Sequence, residues 1–181
     1  MASWSKIARR IRVPLGFAFA VLYMWLARPT IKSLLVGAVL MIPGLLVRAL
    51  ASGHVQKNEQ LATSGPYAYT RNPLYLGSFI LALGLAVAAR NWWIAALMLV
   101  MFFAIYLPVI RGEEVYLRQH FPEFDDYASK VPRLFPRLTP FAGGRGAFSS
   151  SLYLKHREYN ALIGSTAILA GLAAKLHWIS K

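Results

Sequence analysis

Two clusters in this chain have residue types and spacing suited to chemistry. The first lies within GPYAYTRNPLYLG, from Gly65 to Gly77, where a guanidinium (Arg71), a side-chain amide (Asn72) and three phenols (Tyr67, Tyr69 and Tyr75) crowd together. The second is Glu113-Glu114, with Arg111 beside it. A guanidinium orients a carboxylate through parallel donors, and a carboxylate can hold an ammonium or hydroxyl, or take up a proton. Consecutive glutamates on a helix point about 100° apart, so one can face a ligand while the other faces water or a basic neighbour. The plain alternative for the pair is a solvated helix start favoured by the macrodipole. For Tyr67 and Tyr75 it is anchoring at a membrane interface.

The elements that must position these residues are helices. Gly65-Pro66 and Asn72-Pro73 are turn signals, and the second keeps Asn72 out of the helical region while Pro73 suits a helix first turn. Arg71 and Asn72 then occupy a bent loop at a helix mouth, forming a polar pocket at membrane depth. The chain has 181 residues, a net charge of +13 and 57% hydrophobic residues. That leaves too few charges to cover a soluble domain and predicts an all-α, multi-pass transmembrane helix bundle. About five runs approach the roughly 20 residues needed to cross a bilayer: 13–27, 30–50 with a kink at Pro43-Gly44, 73–89, 92–110 and 159–179. The apolar run continues past Ala20, which reads as a retained first helix in preference to a cleaved signal peptide.

The turn at Arg90-Asn91 is so short that the third and fourth spans must form an antiparallel hairpin, bringing Arg71–Tyr75 beside Arg111, Glu113 and Glu114. Residues 51–72 read as a polar loop holding His54, Lys57 and Glu59. Residues 111–130 read as an amphipathic helix along the membrane surface, broken near Pro122, and 131–140 as a proline-punctuated stretch whose first part, 131–136, lets the chain cover the site. Residues 141–151 read as a Gly and Ser linker. The whole is expected to be one membrane domain, with two N-terminal spans (1–50), a core (51–137), and a linker with the last span (138–181).

With the N-terminus inside, fifteen Lys and Arg fall on the cytoplasmic side and five (Arg28, Lys32, Arg90, Lys175, Lys181) on the other, so the positive-inside rule sets the orientation. All seven acidic residues fall on the cytoplasmic side too. A prokaryotic plasma membrane is expected. The basic residues flank spans and do not interleave with base-stacking aromatics, which argues against a nucleic-acid partner. The chain has no cysteine, and its four histidines lack ligand spacing, so no metal is expected.

GPYAYTRNPLYLG, followed after a helical hairpin by EEVYL and then FPEFDDYASKVPRLFP, resembles the isoprenylcysteine carboxyl methyltransferase and phospholipid methyltransferase family over residues 50–137. The resemblance implies an integral membrane enzyme that takes a methyl group from S-adenosyl-L-methionine and gives it to a lipophilic acceptor entering from the lipid bilayer. It implies that Glu59, Gln60, Leu61, Ala62 and Tyr67 line the cofactor and that Asn72, Pro73, Leu74 and Tyr75 wrap it. Glu113 would meet a cofactor hydroxyl or ammonium. Catalytic roles fall to Arg71 or Arg111, orienting a carboxylate acceptor, or to Glu114, receiving a proton from an amine. Two positions depart from the prenylcysteine enzymes: Asn72 replaces a histidine, and Val109 replaces an arginine one turn before the glutamates. Arg111 lies two residues on, about 200° around the helix, and does not simply substitute. The rivals are an NADPH-dependent sterol-type reductase, which the C-terminal helices and the VPRLFP tail also resemble, and a non-catalytic lipid-binding scaffold.

Overall fold

The computed structural model describes residues 4–56, 59–141 and 146–179, with the side chains of 14–178 within them. Lys57, linker residues 142–145, Lys181 and the side chains of Lys6, Arg9, Arg10 and Arg12 lie outside the described residues. Every regular element described is helical: α1 (Trp4–Leu26), α2 (Ile31–Ser52), α3 (Pro73–Ala89), α4 (Trp92–Met101), α5 (Leu107–His120), α6 (Phe124–Lys130), α7 (Ser150–Lys155) and α8 (Tyr159–Ile179). Helices occupy the residues expected for the third and fifth spans, 73–89 and 159–179. Among the described residues three helices are long and apolar enough to cross a membrane, Ile31–Ser52, Trp92–His120 and Tyr159–Trp178. Pro14–Leu26 and Pro73–Ala89 are shorter apolar helices. At 1.5 Å per residue the 17 residues of α3 reach about 25 Å, against about 30 Å of hydrocarbon.

Local chemistry explains where these helices begin. Pro73 at the first position has no N–H to leave unpaired, and the Asn72 carbonyl accepts from Tyr75 and Leu76 N–H at 3.1 and 3.0 Å. Asn91 caps α4, its side-chain oxygen accepting from Trp93 and Ile94 N–H at 2.9 and 3.3 Å. Its Nδ2 donates to the Leu26 carbonyl, 3.0 Å away. Between the two helices, Arg90 takes a left-handed φ of 50° that ends α3. Ser149 caps α7, a short helix that begins within the expected linker 141–151 and runs beyond it.

The expected boundary near Ile110 is absent. One helix of 29 residues runs from Trp92 to His120, carrying a wider π turn at Phe102–Tyr106. Pro108 accounts for that turn, because it cannot donate to the Ala104 carbonyl and its ring crowds the preceding turn. Gly112 alone disfavours helix by only about 1 kcal/mol, and Val109 and Ile110 beside it are fully buried. The expected break at Pro122 does occur, between α5 and α6.

The chain divides into two compact units. An apolar unit comprises residues up to Ile42, Phe79–Gly112 and the chain from Ile163; a polar unit comprises Pro43–Ser78 and Glu113–Leu162. In the apolar unit Tyr23, Ala27, Ala88, Ala89, Ile94 and Leu172 form a buried core. There a Cβ on Gly37 would lie 2.6 Å from the Gly84 carbonyl oxygen, so α2 and α3 touch backbone to backbone, as small residues allow in membrane helices. In the polar unit Phe124, Tyr127 and Val131 form a second buried cluster, with Leu61 and Phe141 packed against it.

Candidate functional site

The site in the polar unit is built from two stretches held side by side. A 3-10 turn at Gly65–Ala68 buries Tyr67, and the Tyr127 hydroxyl donates to the Tyr67 carbonyl at 2.7 Å. From there the loop runs along the segment after α6. Arg71 N–H donates to the Pro132 carbonyl at 3.0 Å, and Arg137 N–H to the Tyr69 carbonyl at 2.9 Å. The Thr70 hydroxyl points at the carbonyls of Arg133 and Leu134, 3.3 and 3.0 Å away. Prolines 132 and 136 keep that segment extended, leaving its carbonyls available to the loop. The cover expected over 131–136 therefore clamps the Arg71-Asn72 bend.

Glu114 is the centre of the cluster, with only 7% of its surface exposed. Arg133 grips it as a fork, Nε lying 3.1 and 3.0 Å from the two carboxylate oxygens and Nη2 2.7 Å from Oε2. Asn72 Nδ2 donates to the Arg133 carbonyl at 2.9 Å and lies 3.4 Å from Glu114 Oε1. Arg71 Nε lies 3.5 Å from the same oxygen, an ion pair without a hydrogen bond. That buried Nε has no hydrogen-bond partner among the described residues. One turn into α3, the Tyr75 hydroxyl donates to Glu113 Oε1 at 2.9 Å.

The two glutamates thus divide their tasks as consecutive helical positions should, Glu114 facing basic neighbours and Glu113 facing Tyr75. Neither sits at a helix start, so the plain alternative of a solvated first turn does not describe them. Electrostatics follow from the geometry. Burial, reinforced by Tyr127, Glu113 and Tyr75, pushes the Tyr67 phenol far above its ordinary value. Burial also raises Tyr127, although Arg71 pulls the other way. The hydrogen bond to Glu114 holds Arg133 more firmly protonated.

Of the residues singled out from the sequence, Arg71, Asn72, Tyr75, Glu113 and Glu114 are brought together, with Pro73 and Leu74 in the same first turn. Tyr67 is buried behind the loop. Glu59 and Gln60 are exposed, and the Glu59 carboxylate lies 3.8 Å from Lys155 Nζ. Leu61 packs on the Phe124 cluster, and Ala62 is partly buried. Arg111 is exposed and belongs to the apolar unit. Arg133 and Tyr127 were missed as site residues; the available signal was VPRLFP, whose prolines bracket an arginine. Among the described residues no group of three or more His, Cys, Asp or Glu could hold a metal ion.

Helices of membrane-spanning length and a buried carboxylate between two arginines define a helical membrane protein with a polar site. The profile of the phospholipid methyltransferase family matches residues 11–123, and the chain belongs to that family. The match takes in most of α1 and all of α2, beyond the 50–137 stretch that carries the resemblance, and stops before Arg133. Over 101 residues the chain is 41% identical to the nickel-cobalt-cadmium resistance protein NccN of Alcaligenes xylosoxydans xylosoxydans, covering 56% of this chain and 45% of that protein. It is 40% identical over 88 residues to the cobalt-zinc-cadmium resistance protein CzcN of Cupriavidus metallidurans, covering 49% and 41%. It is 27% identical over 142 residues to the protein-S-isoprenylcysteine O-methyltransferase of Schizosaccharomyces pombe, covering 75% and 60%. The chain spans about half the length of the curated relatives it matches. No solved structure matches.

Proposed function

We propose that this protein is an integral membrane methyltransferase that uses S-adenosyl-L-methionine and methylates a lipophilic acceptor through a carboxylate. The observation that carries the acceptor class is Arg71. Arg133 already supplies the fork that Glu114 accepts, so Arg71 is a partly buried cation whose buried Nε still has a hydrogen bond to give. An acceptor carboxylate would satisfy it.

The donor set fits the cofactor. Glu113 receives a described hydrogen bond only on Oε1, from Tyr75, which leaves Oε2 for an ammonium or a ribose hydroxyl. Tyr67 adds a neutral aromatic wall. When bound, S-adenosyl-L-methionine supplies a methyl group on a sulfonium that is already electrophilic, so the protein has chiefly to align and desolvate. Arg71 would orient the acceptor carboxylate for in-line attack, and no proton needs to be removed. Glu114 is poorly placed to act as a base, because its oxygens are taken by Arg133, Asn72 and Arg71. Its task is to hold those three groups in place. Glu59, Gln60, Leu61 and Ala62 would close the cofactor side, and Arg111 would serve acceptor entry. The charge asymmetry of the loops supports a cytoplasm-facing site, in what would be a prokaryotic plasma membrane.

The test is calorimetric titration of the detergent-purified chain with S-adenosyl-L-methionine, S-adenosylhomocysteine and NADPH. Micromolar binding of both sulfur compounds, weakened in Glu113→Ala and Tyr75→Ala, is expected. Binding of NADPH alone would move the protein to the reductase class, and binding of none would favour the lipid-binding scaffold. Offering a prenylated cysteine and phosphatidylethanolamine vesicles then separates the acceptors. Methyl ester on the first is expected, and methylated amine on the second would refute the carboxylate assignment.

A further inference from the structure

Outside the Glu114 cluster, the polar unit holds, among the described residues, one further ion pair that is largely buried, at the other side of the α3 first turn. Arg48, near the end of α2, donates from Nε to Glu158 Oε1 at 2.5 Å. Its Nη1 donates to the Leu74 carbonyl at 3.3 Å and to the Ser78 hydroxyl, and that hydroxyl donates to the same Leu74 carbonyl at 2.9 Å. The Glu158 side chain is only 10% exposed and that of Arg48 23%. One arginine thus ties together α2, α3 and the turn that leads into α8.

Gly77 makes this crossing possible. A Cβ there would lie 2.5 Å from Arg48 Cγ and 2.7 Å from the Gly44 carbonyl oxygen, so any side chain would displace the arginine stem. Glu158 is delivered by an equally specific device. Arg157 takes a left-handed φ of 52°, which reverses the chain between α7 and α8 and sets the next residue against Arg48. An ionisable pair in a largely apolar helical protein is costly to bury and persists where it secures something. What this pair secures is the carbonyl of Leu74, which lies between Asn72 and Tyr75.

We infer that Arg48 and Glu158 are a positioning pair that sets the first turn of α3, and with it the Asn72–Tyr75 segment assigned above to the cofactor. The inference rests on that assignment. Its consequence is that the chain beyond the family match, which ends at residue 123, supplies through Glu158 a residue on which cofactor binding depends. The carboxylate holds the guanidinium in the one orientation that reaches Leu74. Without it the arginine turns toward water, and a lysine at position 48 could not make the same forked contacts.

Three variants of the full-length chain, Glu158→Ala, Glu158→Asp and Arg48→Lys, test this with two readouts. Amide hydrogen exchange without ligand should rise at Tyr75 and Leu76 in Glu158→Ala and Arg48→Lys, with the rest of the chain unchanged. Affinity for S-adenosylhomocysteine should fall about tenfold in the same two variants, the scale expected when a binding segment is displaced slightly. Glu158→Asp should recover part of both effects. Unchanged exchange at Tyr75 and Leu76, or exchange raised equally along the chain, would overturn the positioning role. Wild-type protein that bound no S-adenosylhomocysteine would instead overturn the proposed function, and the exchange readout would still judge the pair.

Discussion

The two units use charge in opposite ways. The apolar unit contains no acidic residue, and none of the described ion pairs falls within it. Its polar side chains finish helix ends. Lys175 donates to the carbonyls of Met24, Trp25 and Ala27 at 2.7, 2.8 and 2.7 Å, and the Tyr23 hydroxyl to the Leu85 carbonyl at 2.8 Å. The polar unit holds all seven acidic residues and the same number of basic residues as its neighbour. There the side chains meet one another: Glu114 with Arg133, Tyr75 with Glu113, Arg48 with Glu158. Backbone carbonyls at helix ends need partners wherever water is scarce, so the first pattern is what folding in a membrane requires. Pairing buried side chains is not required for that purpose, and is the pattern on which the proposed site rests.

Substitutions in each unit can break this contrast. The largest effect is expected for Glu114→Ala, which strands Arg133 and Arg71. A loss of about 3 to 5 kcal/mol of stability should accompany loss of cofactor affinity, read by thermal unfolding in detergent and by calorimetry. Next is Ile94→Ala in the apolar core, with a loss of about 2 to 5 kcal/mol from the cavity. Here cofactor affinity of the folded fraction should stay at the wild-type value; a parallel fall would show that the two units do not separate packing from binding.

Tyr75→Phe should act in the opposite sense, leaving the unfolding temperature nearly unchanged. Loss of its hydrogen bond to Glu113 should weaken S-adenosylhomocysteine binding by about 0.5 to 1.5 kcal/mol. The smallest effect is an alkaline one. Tyr67 and Tyr127 have phenols raised above the ordinary 10.0 when folded, so the native state keeps protons that the unfolded chain releases. Their contribution is fully present below pH 10.0 and is lost as pH rises beyond it. The unfolding temperature should therefore decline above that pH. Tyr127→Phe should flatten the decline, and a slope equal to wild type would remove Tyr127 from the account.

Much of the helical frame is legible in local sequence. Pro73 and Asn91 mark helix starts because a missing N–H and a short acceptor side chain act within one turn, and 159–179 is apolar along its whole length. The end of the fourth span was not legible. Arg111 and Glu113 look like the close of an apolar run, but a helix ends only where something stops its hydrogen bonding, and nothing does before Phe121. The short helix α7 was hidden for the converse reason: its six residues carry too little periodicity to show above a Ser-rich stretch.

The sequence by itself determined that the chain is helical and membrane-embedded, that Arg71 and Asn72 lie at a helix mouth, and that the glutamate pair returns toward them. These follow from hydropathy, proline geometry and the brevity of the Arg90-Asn91 turn, all of which act over short distances. Only the tertiary structure decided which cation each carboxylate meets. Arg133 lies 19 residues from Glu114, and Arg48 lies 110 from Glu158. The chain offers many arginines, and nothing in the spacing of a buried ion pair prefers one of them until packing has closed the distance. Arg133 took Glu114 because the Pro132 and Thr70 contacts laid its segment along the loop. Arg71 was left 3.5 Å from the same carboxylate, its Nε without a hydrogen-bond partner among the described residues.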